Sequence, residues 1–292
     1  MTQSENSPVP PTARRFSRRA LLQIAAAALA TGTAVEAFAL EPHRLIFQTL
    51  EVPIQGLPDA FDGYRISLLS DFHFPLWSSA ETIQQAVALA NAFQPDLMTL
   101  PGDFVDKRVK TIPSLSGLFD AARAKDGIVG TLGNHDHLAD AAGVRRVVAA
   151  QTPIRLIDNQ AIVVERGGHA LAVGGVGDLW EGIVMPERAF AHIPPETPRI
   201  LLSHNPDLAE EMTVKVRVDL QLSGHTHGGG VCLPGGIAPL LPSLYGQKYR
   251  AGLVEGRSHR VYVTRGVCSV WHNRLFCPPE VTGITLRKMR TA

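Results

Sequence analysis

Cysteine is scarce in this 292-residue chain, limited to Cys232, Cys268 and Cys277. No CxxC pair and no Cys-His spacing of a structural zinc site occurs, so the thiols do not carry the chemistry. In an oxidising compartment a short loop could join Cys268 to Cys277, leaving Cys232 over. Aromatic residues make up only 6% and no basic stripe interleaves with them, so no nucleic-acid-binding surface is expected. The net charge of +1 gives no electrostatic pull toward nucleic acid or an acidic membrane. Long hydrophobic runs are also lacking: the uncharged stretch 20–35 is alanine-rich and short for a membrane span. Apolar material as a whole is plentiful, 45% against 19% charged, enough for a sizeable core.

The first residues differ from the rest. Arg14, Arg15, Arg18 and Arg19 precede the weakly apolar run, and Ala37-Phe38-Ala39 follows it as a small-x-small cleavage pattern. The stretch SRRALLQ resembles the twin-arginine export motif, with Gln23 where lysine is commoner. Residues 1–39 are therefore expected to be a twin-arginine-type signal peptide, recognised by that export machinery, and 40–292 a single domain in the periplasm or cell envelope. An uncleaved leader would leave the domain membrane-anchored. Loss of residues 1–39 removes four arginines and two glutamates, which takes the net charge to −1.

Downstream, short apolar runs alternate with helical spacings. YRISLLS, DLMTLPGD, GIVGTLGNHD, PRILLSHNPD and VDLQLSGHTH read as buried strands, each ending in Asp, Asn or His. SAETIQQAVALANAF, SLSGLFDAARAK and DAAGVRRVVAAQ read as helices, and AIVVERGGHALAVGGV as a hairpin turning at Gly167-Gly168. HRLIFQTLEVPI reads as an edge strand, and RVYVTRGV and EVTGITLRK as two closing strands. Strand-helix alternation predicts an α/β architecture, in which ligands gather outside the carboxyl ends of the strands.

The strand-end residues are Asp71 and His73, Asp103, Asn134 and His135, His204, and His225 with His227. Carboxylate and amide oxygens mixed with imidazoles suit Mn, Fe or Zn better than Ca or a thiolate-bound ion. In an extended segment residues i and i+2 point the same way, so Asp71 and His73 are expected to reach one ion together if the strand continues that far. Glycines beside Asp103, Asn134 and His225 allow tight turns there.

In order, these motifs are D-x-H, G-D, G-N-H-D, a lone H and G-H-x-H, across residues 66–228. The chain thereby resembles the calcineurin-like metallophosphoesterase superfamily. AFDGYRISLLSDFH and PPEVTGITL further resemble its exported bacterial phosphodiesterase branch, although Gly230 stands where glutamine is usual. The resemblance implies an α/β sandwich of two central β-sheets flanked by helices, with the site at the strand carboxyl ends. It implies two divalent ions, one on Asp71, His73 and His227, the other on Asn134, His204 and His225, with Asp103 bridging. His135 would then protonate the leaving oxygen, with Asp136 as its orienting partner. The implied reaction is hydrolysis of a phosphodiester, including a lipid- or envelope-linked one, by a metal-activated hydroxide. Two alternatives stay open: a pyrophosphohydrolase acting on a nucleotide-linked lipid precursor, and a non-catalytic envelope metal-binding protein.

Other residues carry weaker expectations. Trp77, Trp180 and Trp271, with His272 and Arg274, either line the cleft or pack loops, and packing is the commoner role. Arg65 and Lys107 either meet a phosphate or are solvated surface charges. His43, His137, His169, His192 and His259 are expected to face solvent.

Overall fold

The structure is a computed structural model that describes residues 17–212 and 216–289; the leader's Arg14 and Arg15 lie outside them. An N-terminal helix α1 (Arg18–Val35) precedes the strands. These are β1 (Ile46–Ile54), β2 (Arg65–Leu68), β3 (Leu97–Pro101), β4 (Ile128–Thr131), β5 (Arg155–Leu156) and β6 (Gln160–Arg166). They continue as β7 (His169–Gly175), β8 (Arg199–Leu202), β9 (Leu220–Ser223), β10 (Gly252–Glu255), β11 (Arg260–Val263) and β12 (Glu280–Lys288). Two mixed six-stranded sheets result, ordered β1-β12-β2-β3-β4-β5 and β10-β11-β9-β8-β7-β6.

Strands β2 to β5 run parallel, as do β7, β8, β9 and β11. The period-2 alternation of a strand decides which side chains enter the space between the sheets. Ile66 and Leu68 of β2 and Ile284 and Leu286 of β12 share that core with Leu171 and Val173 of β7 and Leu220 and Leu222 of β9. Each such side chain stabilises the fold by roughly 1.5–3 kcal/mol.

The outer face of the first sheet is covered by α2 (Ala80–Ala92) and α3 (Asn134–Gln151). Helix α2 starts where Ser79 Oγ accepts the Thr82 amide at 3.1 Å, and it buries Ile83, Ala86, Val87 and Ala90 at helical spacing. The second sheet is covered more thinly, by turns carrying Phe190, Leu208 and Met212. The α/β sandwich is thus flanked unequally. Segment 114–125 is not the expected helix. A 3₁₀ turn (Val109–Leu115) passes into open turns at Gly117, whose φ of +78° ends any helical run. The helix expected from residue 140 begins six residues earlier, so Asn134 and His135 ride on its first turn.

Candidate metal centre and cleft

The ends of β2, β3, β4, β8 and β9 deliver the eight strand-end residues to one buried point. Their route differs from simple strand alternation. Strand β2 stops at Leu68, and Asp71 and His73 are each in the left-handed region, with φ of 59° and 43°. Asp103, His225 and His227 are there as well, at 56°, 70° and 52°. Tight left-handed bends, not a continuing strand, aim these side chains inward. Backbone hydrogen bonds hold the bends: Asp71 N–H donates to Gly102 O at 3.1 Å, and His225 N–H to Asp71 Oδ1 at 2.9 Å.

Two glycines are required by close approach. A Cβ on Gly133 would come within 2.3 Å of Asp103 Oδ1, and one on Gly224 within 2.2 Å of Asp71 Oδ2. Removing the side chain at these points lets the carboxylates pass.

Asp103 is the centre of the arrangement. Its Oδ2 lies 3.3 Å from His73 Nε2 and 3.1 Å from His204 Nε2, and its Oδ1 accepts the His135 amide at 2.8 Å. On the His73 side, the His227 ring is 5.0 Å away and its Nε2 is 3.6 Å from Asp71 Oδ1. On the His204 side, the His225 ring is 5.1 Å away, and its Nδ1 is 3.2 Å from Asn134 Oδ1. Two sets of donors therefore face each other across one carboxylate oxygen.

The donor set fits divalent cations. His204 Nδ1 is 2.7 Å from Pro101 O, a contact it can make only as donor, so in the neutral ring Nε2 turns a lone pair toward Asp103. The buried Asp71 Oδ2, His73 Nε2 and His225 Nε2 lack hydrogen-bond partners, and His204 Nε2 faces only the Asp103 carboxylate, with which it bonds when protonated. Lone pairs aimed at a carboxylate in a dry site require a cation or a proton between them.

Burial pushes His73 and His225 down to about 3 and His227 well below the ordinary imidazole range, which keeps them neutral. Burial also acts downward on His204, but the Asp103 charge and hydrogen bond outweigh it and lift it to about 10. For Asp103 burial acts upward, and the charge and hydrogen bond of the facing His204 reverse it to well below the carboxylate range. Asp71 rises to about 6, mainly through burial.

His135 stands at the cleft side of this centre, half-buried, its ring 4.4 Å from His73 and its Nδ1 without a partner. Burial lowers its pKa. Asp136 is not its orienting partner. The Asp136 carboxylate accepts the Val105 and Gly133 amides, both at 3.0 Å, and so fastens the first turn of α3 to the loop after β3.

Above the centre opens a cleft of about 740 Å³. All three tryptophans line it, against the packing role expected of them. Trp77 lies 4.8 Å from the His73 ring, and Trp180 meets the His225 ring edge-on at 4.3 Å. The Trp180 turn is set by Asp178, whose Oδ1 accepts the Trp180 and Glu181 amides; sequence reading passed over this residue. Lys107 lines the cleft, whereas Arg65 stacks on Phe93. Arg274 is fully buried and donates to the carbonyls of His227, Cys268, Cys277 and Arg265.

His43, His169 and His192 are exposed as expected; His137 is half-buried, and His259 is buried with Nε2 2.8 Å from Gln221 Oε1. Cys268 and Cys277, which a short loop could have joined, are not paired. All three thiols are free; Cys268 faces His227 Nδ1 at 3.6 Å, while Cys232 and Cys277 converge on the Gly228 carbonyl at 3.3 and 3.4 Å.

Comparison with known proteins agrees with this geometry. A family model described as calcineurin-like phosphoesterase matches residues 64–229. Phosphodiesterase YaeI of Escherichia coli is 32% identical, over 93% of this chain and 99% of its own length. The metallophosphoesterase YkuE of Bacillus subtilis is 30% identical, over 94% and 99%. A Chlamydia muridarum protein named UDP-2,3-diacylglucosamine pyrophosphatase LpxG is 24% identical, over 83% and 89%.

Proposed function

Since this chain belongs to the calcineurin-like phosphoesterase family, we propose that it hydrolyses phosphodiesters at the centre around Asp103. It is a phosphoester hydrolase. In the proposed arrangement Asp71, His73 and His227 hold one divalent cation, Asn134, His204 and His225 hold a second, and Asp103 lies between them. The observation that carries this reading is the position of Asp103 Oδ2, within 3.3 Å of His73 Nε2 and 3.1 Å of His204 Nε2.

Divalent cations in such a centre neutralise phosphoryl oxygens and ionise an attacking water near neutral pH. The chain's own residues supply the rest. The His204 link to Pro101 fixes the orientation of its ring, and the Asp103 link to the His135 amide ties the acid to the metal floor. His135 delivers a proton to the departing alkoxide, a role worth roughly 10²–10⁴-fold. Lys107 is placed to meet a phosphate oxygen at the cleft wall. A storage site would have no use for His135, which counts against a non-catalytic metal-binding role.

Diester rather than monoester specificity is supported by the likeness to YaeI, which spans nearly the whole of both chains. A second reading, cleavage of a pyrophosphate in a nucleotide-linked lipid precursor, is favoured by the likeness to LpxG. Export through a twin-arginine-type leader to the periplasm or envelope is part of the proposal and rests on the arginine pairs.

The test uses protein stripped of metal and reloaded with Mn²⁺, Fe²⁺ or Zn²⁺. Bis-p-nitrophenyl phosphate is compared with p-nitrophenyl phosphate, and His135→Ala runs beside the parent. Diester turnover at constant metal content, with a loss in His135→Ala that is larger for an alkyl diester than for the nitrophenyl one, supports the reading. Two bound ions per chain with no turnover of either ester, nor of a lipid-linked pyrophosphate, overturns it.

A further inference from the structure

The N-terminal helix and the rim of the cleft form one connected surface. Helix α1 buries none of its side chains against the body. With the turns that follow, it makes a helical stretch, Arg18–His43, long and apolar enough to cross a membrane. Its lower end is tied down firmly. Arg274 N–H donates to Ala37 O at 2.9 Å, Phe276 N–H to Glu41 Oε2 at 2.8 Å, and Ser269 Oγ to Pro42 O at 2.8 Å. Ala37, Glu41 and Pro42 are buried there.

The strap that donates these bonds, residues 269–276, is also a wall of the cleft, through Val270, Trp271 and Asn273. Leu275 next to them exchanges backbone hydrogen bonds with Gly230 and Cys232, on the opposite cleft loop. The foot of the helix, the strap and that loop are therefore joined by hydrogen bonds. Phe38 and Leu40 at the foot, Trp271 and Phe276 on the strap and Leu240 at the cleft are mostly exposed, large apolar side chains that a soluble surface does not favour.

We propose that the chain keeps this helix as a membrane anchor, and that the apolar rim rests in the bilayer interface so that the cleft receives a phosphodiester borne on a lipid. This deepens the phosphodiesterase reading and rests on it for the chemistry, but not for the docking. The lengths argue for a bilayer rather than a protein partner. The uncharged run of residues 20–35 spans about 24 Å as a helix, short of a hydrocarbon core of about 30 Å. Such a deficit is relieved when neighbouring apolar residues are drawn into the boundary, and Phe38, Leu40, Trp271 and Phe276 stand at that level. Tryptophan is a preferred residue of that zone. The arginines just before and at the start of the helix direct that end to the cytoplasmic side, which puts the domain on the exported face. Cleavage after Ala39 would remove Ala37, whose carbonyl the strap holds. In the reaction, water adds across one P–O ester bond; one product keeps the phosphate as a monoester and the other leaves as an alcohol that takes up a proton.

The full chain, made with its leader in an export-competent bacterium, provides the test. Intact mass of the mature protein reports whether residues before Ala39 remain. Vesicles of phosphatidylethanolamine and phosphatidylglycerol carrying interfacial bromolipid report rim depth, by tryptophan quenching that disappears in Trp271→Phe. Release of water-soluble products from phosphatidylglycerol vesicles is measured beside bis-p-nitrophenyl phosphate, with Phe38→Asp/Phe276→Asp as the rim variant. The expected results are a retained helix, quenching of Trp271, and a tenfold or greater loss of vesicle turnover in the rim variant at unchanged soluble-diester turnover. A chain cleaved at Ala39 overturns the proposal, as does absence of quenching or equal vesicle turnover by parent and variant. Quenching and retention without turnover of any ester would instead overturn the phosphodiesterase reading while leaving the docking in place.

Discussion

The floor of the cleft and its rim are made of opposite materials. At the floor, charged and imidazole side chains are buried, drawn from five strand ends, and fixed by left-handed bends and hydrogen bonds to backbone. At the rim, tryptophan, phenylalanine and leucine are exposed on loops whose mutual bonds join residues far apart in the chain. Burying charge is costly without partners, and exposing apolar area is costly without a cover. Each region thus inverts what a folded chain ordinarily does with those residues, and each inversion indicates what should complete it. For the floor the donor set calls for a cation; for the rim, lipid is the complement proposed above.

The largest effect that separates the two is expected from Asp103→Asn. With the shared charge gone, turnover on a soluble diester should fall by about 10³-fold or more, together with bound metal measured by emission spectroscopy, while vesicle binding stays at the parent level. His135→Ala should leave metal content intact and lower kcat by roughly 10²–10⁴-fold for an alkyl leaving group. The loss should shrink with p-nitrophenolate, which departs without a proton; a leaving-group series measures that difference.

Gly224→Ala probes the floor's backbone without replacing a donor residue. A Cβ there would sit 2.2 Å from Asp71 Oδ2 and 2.3 Å from Ser70 Oγ, so a cost of about 1–3 kcal/mol is expected. It should be read as a lower Tm together with weaker metal binding.

The pH dependence of metal loading follows from His204. In the metal-free protein its imidazole holds a proton up to about pH 10, through the Asp103 pairing, and a metal-coordinating imidazole must lose that proton. Loading at pH 7 should therefore release about one proton, and affinity should rise roughly tenfold per pH unit up to that range. Below about pH 6 Asp71 also protonates, which steepens the loss. Calorimetry in buffers of different ionisation enthalpy counts the protons. The smallest effect concerns the rim's support: mild oxidation with glutathione disulfide should join Cys232 to Cys277 rather than Cys268 to Cys277, read by peptide mapping.

The same contrast explains what the amino-acid order discloses. The floor was legible because each of its residues ends an apolar run, and local periodicity marks where such runs stop. Asp71, Asp103, Asn134, His204 and His225 are all found by that rule. The rule gave the wrong local mechanism for Asp71 and His73, since nothing in a dipeptide announces a left-handed bend. It also assigned Asp136 to His135, because sequence neighbours on a helix turn need not face each other. The rim was illegible for a different reason. Phe276 and Glu41 meet across a separation of 235 residues, and no periodicity records such a meeting. The tryptophans could be listed as loop residues, but only the closing of the strap on the helix foot makes them a wall.

The five left-handed donors have one more consequence, for the choice of metal. Residues in that region cost an L-amino acid roughly 1–2 kcal/mol each, and here main-chain bonds to the neighbouring loop, Asp71 N–H to Gly102 O and His73 N–H to Asp103 O, hold Asp71 and His73 in it. The ordering cost of gathering the donors is thereby met in folding rather than in binding. A cage assembled in advance selects by ionic radius and preferred coordination geometry, because its walls do not readjust to suit the guest. Calcium needs more oxygen donors at longer distances, so such a cage should favour the smaller borderline ions, which its imidazole-rich donor set already suits.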